Sequence, residues 1–421
     1  MSRLPIFSFL FLFLFCSQNQ VSNICDSDDP EFITSLFFRI FTKDSSSTCG
    51  YNLDLKTACN IDFTETTDPK NWKKVQTEIL SQFRLGSRAA ESLVQFTTDT
   101  PLSLVGNGTT AFQGILNAPD KSLYYIPYNA TSLVSVNPQT NTVRVIASAP
   151  GSVSFLGGIL GPKERIYLAP HVDNIFKYFD LSNKSYVNLG TDSTLAASAY
   201  SGGILAPNGK VYFTPNGETK VSFYDTKTGS LGSLNTLLGA GFSSATLAPN
   251  GKIYYTPLDA TRIKVLNTID ETISELDFTF SGSGDYISAV LGPDERIYLI
   301  PFNETIIRYI DLKTETVKEL GPHNVSLQPP FFNGAVLAPN GKIYLVPLNS
   351  TDFVTIDINT SEIKSLSFGN PSSSSYRGAG LFSNGDIYLS PHGSNRFDLI
   401  RTNSIGTFCE PLLLSSYWNK L

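Results

Sequence analysis

Residues 338–347 read APNGKIYLVP, and the phrase returns as APNGKVYFTP at 206–215, APNGKIYYTP at 248–257 and GPDERIYLIP at 292–301. Aligned on its last proline, it occurs seven times, at Pro127, Pro170, Pro215, Pro257, Pro301, Pro347 and Pro391, with intervals of 42 to 46 residues. A period of this size built from short β-segments marks propeller blades. Three residues before each anchor proline stands a tyrosine: Tyr124, Tyr167, Tyr212, Tyr254, Tyr298, Tyr344 and Tyr388. An aliphatic residue precedes each of them. Neighbours on a strand face opposite sides, so this strand is covered on both faces, as a sheet stacked between two others must be.

The remaining columns give each repeat four strands. A run of small and aliphatic residues, such as Ala335-Val336-Leu337, comes first and crowds the axis. Asn-Gly at 208–209, 250–251, 340–341 and 384–385 joins it to the tyrosine strand, and its tolerance of positive φ predicts a type I′ turn. Lys163-Glu164 and Asp294-Glu295 replace Asn-Gly in two copies and predict another turn type. Ten residues after the anchor proline, Asn137, Asp180, Asp225, Asn267, Asp311 and Asp357 predict Asx turns joining a third strand to a fourth; Arg401 breaks this column in the last copy. The expected fold is therefore all-β, a closed ring of seven four-stranded blades over 106–421, with the last outer strand drawn from the tail after Cys409. Closure removes exposed sheet edges.

The chain has 421 residues, a charged fraction of 16% and a net charge of −6. This leaves no basic footprint, so no nucleic-acid partner is expected. Met1 to Arg3 followed by the apolar run Leu4 to Phe15 has the form of a secretory signal, placed at 1–20, and is too short to span a bilayer. Cys16 closes the run where a lipoprotein cysteine would sit, although Phe15 is larger than such a site prefers. Lipid anchoring and free secretion both stay open, and a membrane is met only through such an anchor. Without Cys16, four cysteines remain: Cys25, Cys49, Cys59 and Cys409. They allow three disulfide pairings, of which Cys25–Cys49 with Cys59–Cys409 is preferred. Residues 21–105 read as a helical, disulfide-stapled segment. Phe32, Ile33, Leu36, Phe37, Ile40 and Phe41 share one helical face, and Trp72, Val75, Ile79 and Phe83 share another.

The pattern P-[ND]-[GE]-[KR]-[IV]-Y followed by an Asx turn resembles the NHL and YVTN-type seven-bladed β-propellers, over about three quarters of the chain. That resemblance implies an exported bacterial envelope protein. Some members of this broad group are lactonases with a metal-binding Glu/Asn/Asp set, and others are lyases using histidine. No local motif here matches either set, so no catalytic residue is carried over, and neither a metal nor a cofactor is expected.

Candidate binding residues come from the columns. His171 and His392 both follow an anchor proline, on loops that face a ligand in propellers. Phe155, Tyr200, Phe242, Tyr286, Phe332 and Tyr376, with Phe112, form a near-complete aromatic ring. Facing the channel mouth, it would be a stacking platform for sugars or peptides; facing between blades, it is core. Asn129, Asp173, Asp259, Asn303 and Asn349 stand on the same loops, where oxygens could hold a cation or cap turns. N-x-[ST] sequons occur at Asn107, Asn129, Asn183, Asn303, Asn324, Asn349 and Asn359. The expected role is a monomeric, non-enzymatic binding or adhesion module for protein or carbohydrate, with a propeller hydrolase or lyase as the alternative.

Overall fold

The computed structural model describes residues 89–96 and 410–415, scattered positions between 64 and 87, and 111–404 apart from 152–153, 324, 326–328, 351, 369–375 and 393–395. Cys16, Cys25, Cys49, Cys59 and Cys409 lie outside the described residues, as does the expected signal segment. So do most of the expected helical faces; within 21–105, Pro69–Asn71 form one 3-10 turn.

Seven four-stranded antiparallel sheets are present. Blade one spans 112–148, two 155–191, three 200–237, four 242–275, five 286–322, six 332–366 and seven 376–401. Blade seven departs from the sequence expectation. Its outermost strand is Ser92–Phe96, paired antiparallel with Phe397–Arg401 from Ser92↔Arg401 to Phe96↔Phe397. The tail instead forms a short helix at Glu410–Leu413. A strand from the N-terminal side thus completes the C-terminal blade, and the ring is tied by hydrogen bonds between the two ends of the fold.

Each tyrosine of the repeat is buried, at no more than 2% exposure. Alternation sends the tyrosine toward the following blade, while the residues beside it face the preceding one. Seven hydrophobic clusters result among the described residues, one for each pair of neighbouring blades. In each, the tyrosine of one blade shares a core with the first aromatic of the next: Tyr124 with Phe155, Tyr254 with Tyr286, Tyr344 with Tyr376. The last cluster joins Tyr388 of blade seven to Phe112 of blade one, which closes the ring.

Polar latches reinforce these cores on the rim where the inner hairpins turn. Lys210 and Tyr212 of blade three donate to Glu271 of blade four, and Lys252 and Tyr254 of blade four donate to Glu315 of blade five. Lys342 and Tyr344 of blade six donate in the same way to Glu91. Glu91 immediately precedes the strand Ser92–Phe96, so the N-terminal strand reproduces an ordinary outer strand together with its latch.

The hairpin turns differ from the type I′ expectation. At Asn-Gly only the glycine has positive φ, as at Gly209 (90°) and Gly251 (77°), with the asparagine outside that region. Gly209 N–H bonds Ala206 C=O at 2.9 Å, so Ala206 to Gly209 form a single i→i+3 turn ending in a left-handed residue. Proline at the second position favours such a turn. Lys121, Glu164 and Glu295 hold the same left-handed position without glycine. The Asx turns are as expected: Asn137 and Asp311 each accept from the backbone two residues on, at 2.9 and 3.0 Å.

Candidate functional site

The innermost strand of every blade shifts register just after its first aromatic, for example between Tyr200 and Gly203 and between Tyr376 and Ala379. A bulge of this kind re-aims a side chain. In five blades it is made by a glycine at positive φ: Gly114, Gly157, Gly202, Gly334 and Gly378. Ser244 and Ser288 stand at that position in blades four and five. The residue between aromatic and bulge then points at the axis. These residues are Gln113, Leu156, Ser201, Ser243, Ile287, Asn333 and Arg377, and all seven line a central cavity of about 250 Å³. Tyr128, Asn216, Leu258 and Phe302, each directly after an anchor proline, extend the lining toward the loop face.

The aromatic column itself does not form a platform. Phe155, Tyr200, Phe242, Tyr286, Phe332 and Tyr376 are at most 1% exposed and sit in the inter-blade cores. Their polar ends are committed there: Tyr200 and Ser222 hydroxyls lie 2.7 Å apart, and Tyr286 donates to Ile306 C=O at 2.8 Å. The sequence signal that does find the cavity is the position one residue later. That column has no common chemistry, because packing between blades does not constrain it.

His171 and His392 stand on loops of blades two and seven, with blade one between them. Both are buried, at 9% and 3% exposure. His171 Nδ1 lies 3.2 Å from Tyr200 C=O, and burial pushes its imidazole below the ordinary value, the Tyr200 carbonyl partly opposing. Burial and then the Arg377 charge push His392 down to about 3, so it is neutral near pH 7. Tyr128 links the two regions. Its ring centroid is 6.4 Å from that of His171, and the Arg377 guanidinium carbon lies 5.6 Å from its ring centre.

Among the described residues, the one charged side chain of the cavity lining stands on one side of it. Blades six, seven and one contribute Asn333, Arg377 and Gln113 in sequence around the ring, with Gln113 Nε2 donating to Asn333 Oδ1 at 3.4 Å. On the far side, Ser201 donates to Ser243 C=O and Ser243 to Tyr286 C=O, at 2.7 and 3.0 Å. Leu156 and Ile287 separate the two regions. Among the described residues, no carboxylate lines the cavity.

The two loop carboxylates considered for a cation hold backbone and lysine instead, and Asn303 is engaged through its amide nitrogen. Asp173 accepts from Ile175 N–H and Lys177, Asp259 accepts from Gly284 N–H at 3.0 Å, and Asn303 donates to Ser283 C=O. Among the described residues, no group of three His, Cys, Asp or Glu is placed to hold a metal.

No protein-family model matches the chain, and no curated protein matches it. Solved structures do. A streptogramin B lyase is similar at 12% identity and a TM-score of 0.61, over 74% of this chain and 98% of that one. A histidine-to-alanine, catalytically inactive virginiamycin B lyase from Staphylococcus aureus with quinupristin is similar at 14% identity and a TM-score of 0.59, over 74% and 99%. The extracellular domain of a one-component system from B. thetaiotaomicron is similar at 10% identity and a TM-score of 0.55, over 74% of this chain and 40% of that one. At such identities a shared fold is what likeness carries, since one superfold hosts many activities. Blade count, strand order and these likenesses agree that the chain is a seven-bladed β-propeller of four-stranded blades.

Proposed function

We propose that this chain is an exported, NHL-like binding module that takes a group of a protein or carbohydrate ligand through the loop face where the central cavity opens. The observation that carries the reading is the lining itself: amides, hydroxyls, aliphatic residues and one guanidinium, with no carboxylate among them. Such a wall offers hydrogen bonds and apolar contact, the usual content of a recognition pocket. It offers no paired acid and base, and its neighbouring histidine, held at about 3, is a weak proton acceptor near pH 7. The apolar run near the N-terminus and the extracellular setting of one fold neighbour support export.

Probing glycan and peptide arrays with the full chain tests this. Capture should fall when Leu258→Trp narrows the loop-face opening. It should persist in Lys313→Ala, a change at the exposed Asx-turn rim. Capture by neither array, or equal loss in both variants, counts against the reading.

The second reading, a lyase, gains from the lyase neighbours and from the buried His392 beside Arg377. Incubation with quinupristin decides it: turnover abolished by His392→Ala would replace the binding reading with the enzymatic one.

A further inference from the structure

Other half-buried guanidiniums of the ring are matched to carboxylates. Arg308 reaches Glu304 and Glu319, both at 3.2 Å, and Arg396 reaches Asp398 at 2.8 Å. Arg377 is not. Among the described residues it forms no ion pair, and its guanidinium carbon stands 5.6 Å from the centre of the Tyr128 ring. Burying a cation without a counter-charge is costly, and burial accordingly pushes the Arg377 guanidinium below the usual arginine range.

Among the described residues, three buried polar atoms in and beside this sector lack hydrogen-bond partners: Arg377 Nε, Gln113 Oε1 and, on the adjoining loop, His392 Nδ1. His392 belongs to a side chain that is 97% removed from solvent, by its 3% exposure. Native proteins pair most buried polar groups; the Gln113 oxygen calls for a donor, while the guanidinium at the cavity wall, with no ion pair among the described residues, calls for an acceptor that carries negative charge. The sector supplies a single positive charge, because the histidine beside it is neutral. Leu156 and Ile287 flank this sector on either side and Leu258 lies above, with Ser201 and Ser243 on the far wall.

We propose that the Asn333–Arg377–Gln113 sector of the channel binds the carboxylate of a small organic monoacid whose apolar body lies against Leu156, Leu258 and Ile287. This rests on the binding reading above and names the chemistry of its pocket. A guanidinium presents two parallel N–H donors that match a planar carboxylate. The Asn333 and Gln113 amides flank it and supply further donors. A dianion such as phosphate meets only one compensating charge here, and a neutral sugar leaves that charge buried and unmatched.

The probes are benzoate and hexanoate, with benzamide, hexanamide and inorganic phosphate as controls, followed by calorimetry and thermal melting of the full chain. Both acids should bind and raise the melting temperature, and the controls should not. Arg377→Gln should weaken acid binding by roughly ten- to a hundredfold, as expected for losing a charged hydrogen-bond pair. Gln113→Glu should abolish it by placing an internal carboxylate on Arg377, and should leave the protein at least as stable, which separates lost binding from lost folding. The proposal is overturned if neither acid binds the folded wild type at millimolar concentration, if phosphate or the amides bind equally well, or if either variant binds like wild type. Failure here leaves array capture unaffected, whereas failure of the wider reading removes array capture and leaves acid binding in place.

Discussion

Gly203 shows how tightly single positions in the inner strands are set. A methyl group built there stands 2.6 Å from the Tyr212 carbonyl oxygen and 2.8 Å from Ile159 Cδ1 of the preceding blade. The nearer obstacle is backbone, which a rotamer change does not relieve. Gly203→Ala should therefore cost ~2–4 kcal/mol through overpacking. Gly190→Ala, which meets only a Leu231 methyl at 3.1 Å, should cost well under half as much. Denaturant midpoints of the two variants check the difference, and equal midpoints would contradict this packing. The tyrosine column was readable from sequence for the same reason: a buried side chain wedged between blades admits few alternatives. The cavity column was not, since residues as different as Leu156, Ser243 and Arg377 satisfy a position whose only structural demand is to point at the axis.

Among the elements, the strand Ser92–Phe96 was the least legible. It carries neither the repeated phrase nor an anchor proline, and it lies some three hundred residues from its partner Phe397–Arg401 in the sequence. Its local spelling does carry a trace. Glu91-Ser92-Leu93-Val94 matches Glu315-Thr316-Val317 in placing a glutamate before a hydroxyl residue and an aliphatic one, and both glutamates take the same lysine and tyrosine donors. The tail was credited with that strand because the repeat needed a fourth element and the tail followed in sequence; the needed edge was filled from the other end. The strand also packs half-buried Leu93 and Val94 against the cores on either side of blade seven. Deleting the chain through Phe96 should expose the Phe397–Arg401 edge, lower the melting temperature by several degrees and promote association. A peptide spanning residues 89–96, added in excess, should restore part of the loss. Unchanged melting of the truncated chain in size-exclusion-purified monomer would mean that the ring does not depend on this closure.

Across the whole ring, stability depends on seven interfaces of one design, so groups that titrate at or beside them act together. All three histidines of the chain are buried, and burial holds each imidazole below its ordinary value of 6.5, with His392 lowest at about 3. A base whose folded value lies below its unfolded one stabilises the fold above the unfolded value and loses that contribution as pH falls from 6.5 toward the folded value. The latch glutamates act in a lower window. Around Glu91, burial raises the carboxyl, but the Lys342 and Tyr344 hydrogen bonds and the Lys342 charge outweigh it and hold it below 4.5; Glu315 is lowered by its Lys252 bond against a smaller burial effect. Their contribution is complete above 4.5 and disappears as pH falls through their folded values. Asp294, Asp386 and Asp398 work the other way, because burial raises all three above 3.8 and protonation relieves the folded state. Unfolding free energy measured between pH 7.5 and about 3, the span of these shifts, should therefore decline in two stages. His392→Gln should flatten the stage that begins at 6.5 and leave the lower one. Glu91→Gln should lower stability at pH 7 and flatten the stage below 4.5, with the histidine stage intact. A single acid transition unmoved by either substitution would show that the titrating groups are neither the buried histidines nor the latch glutamates.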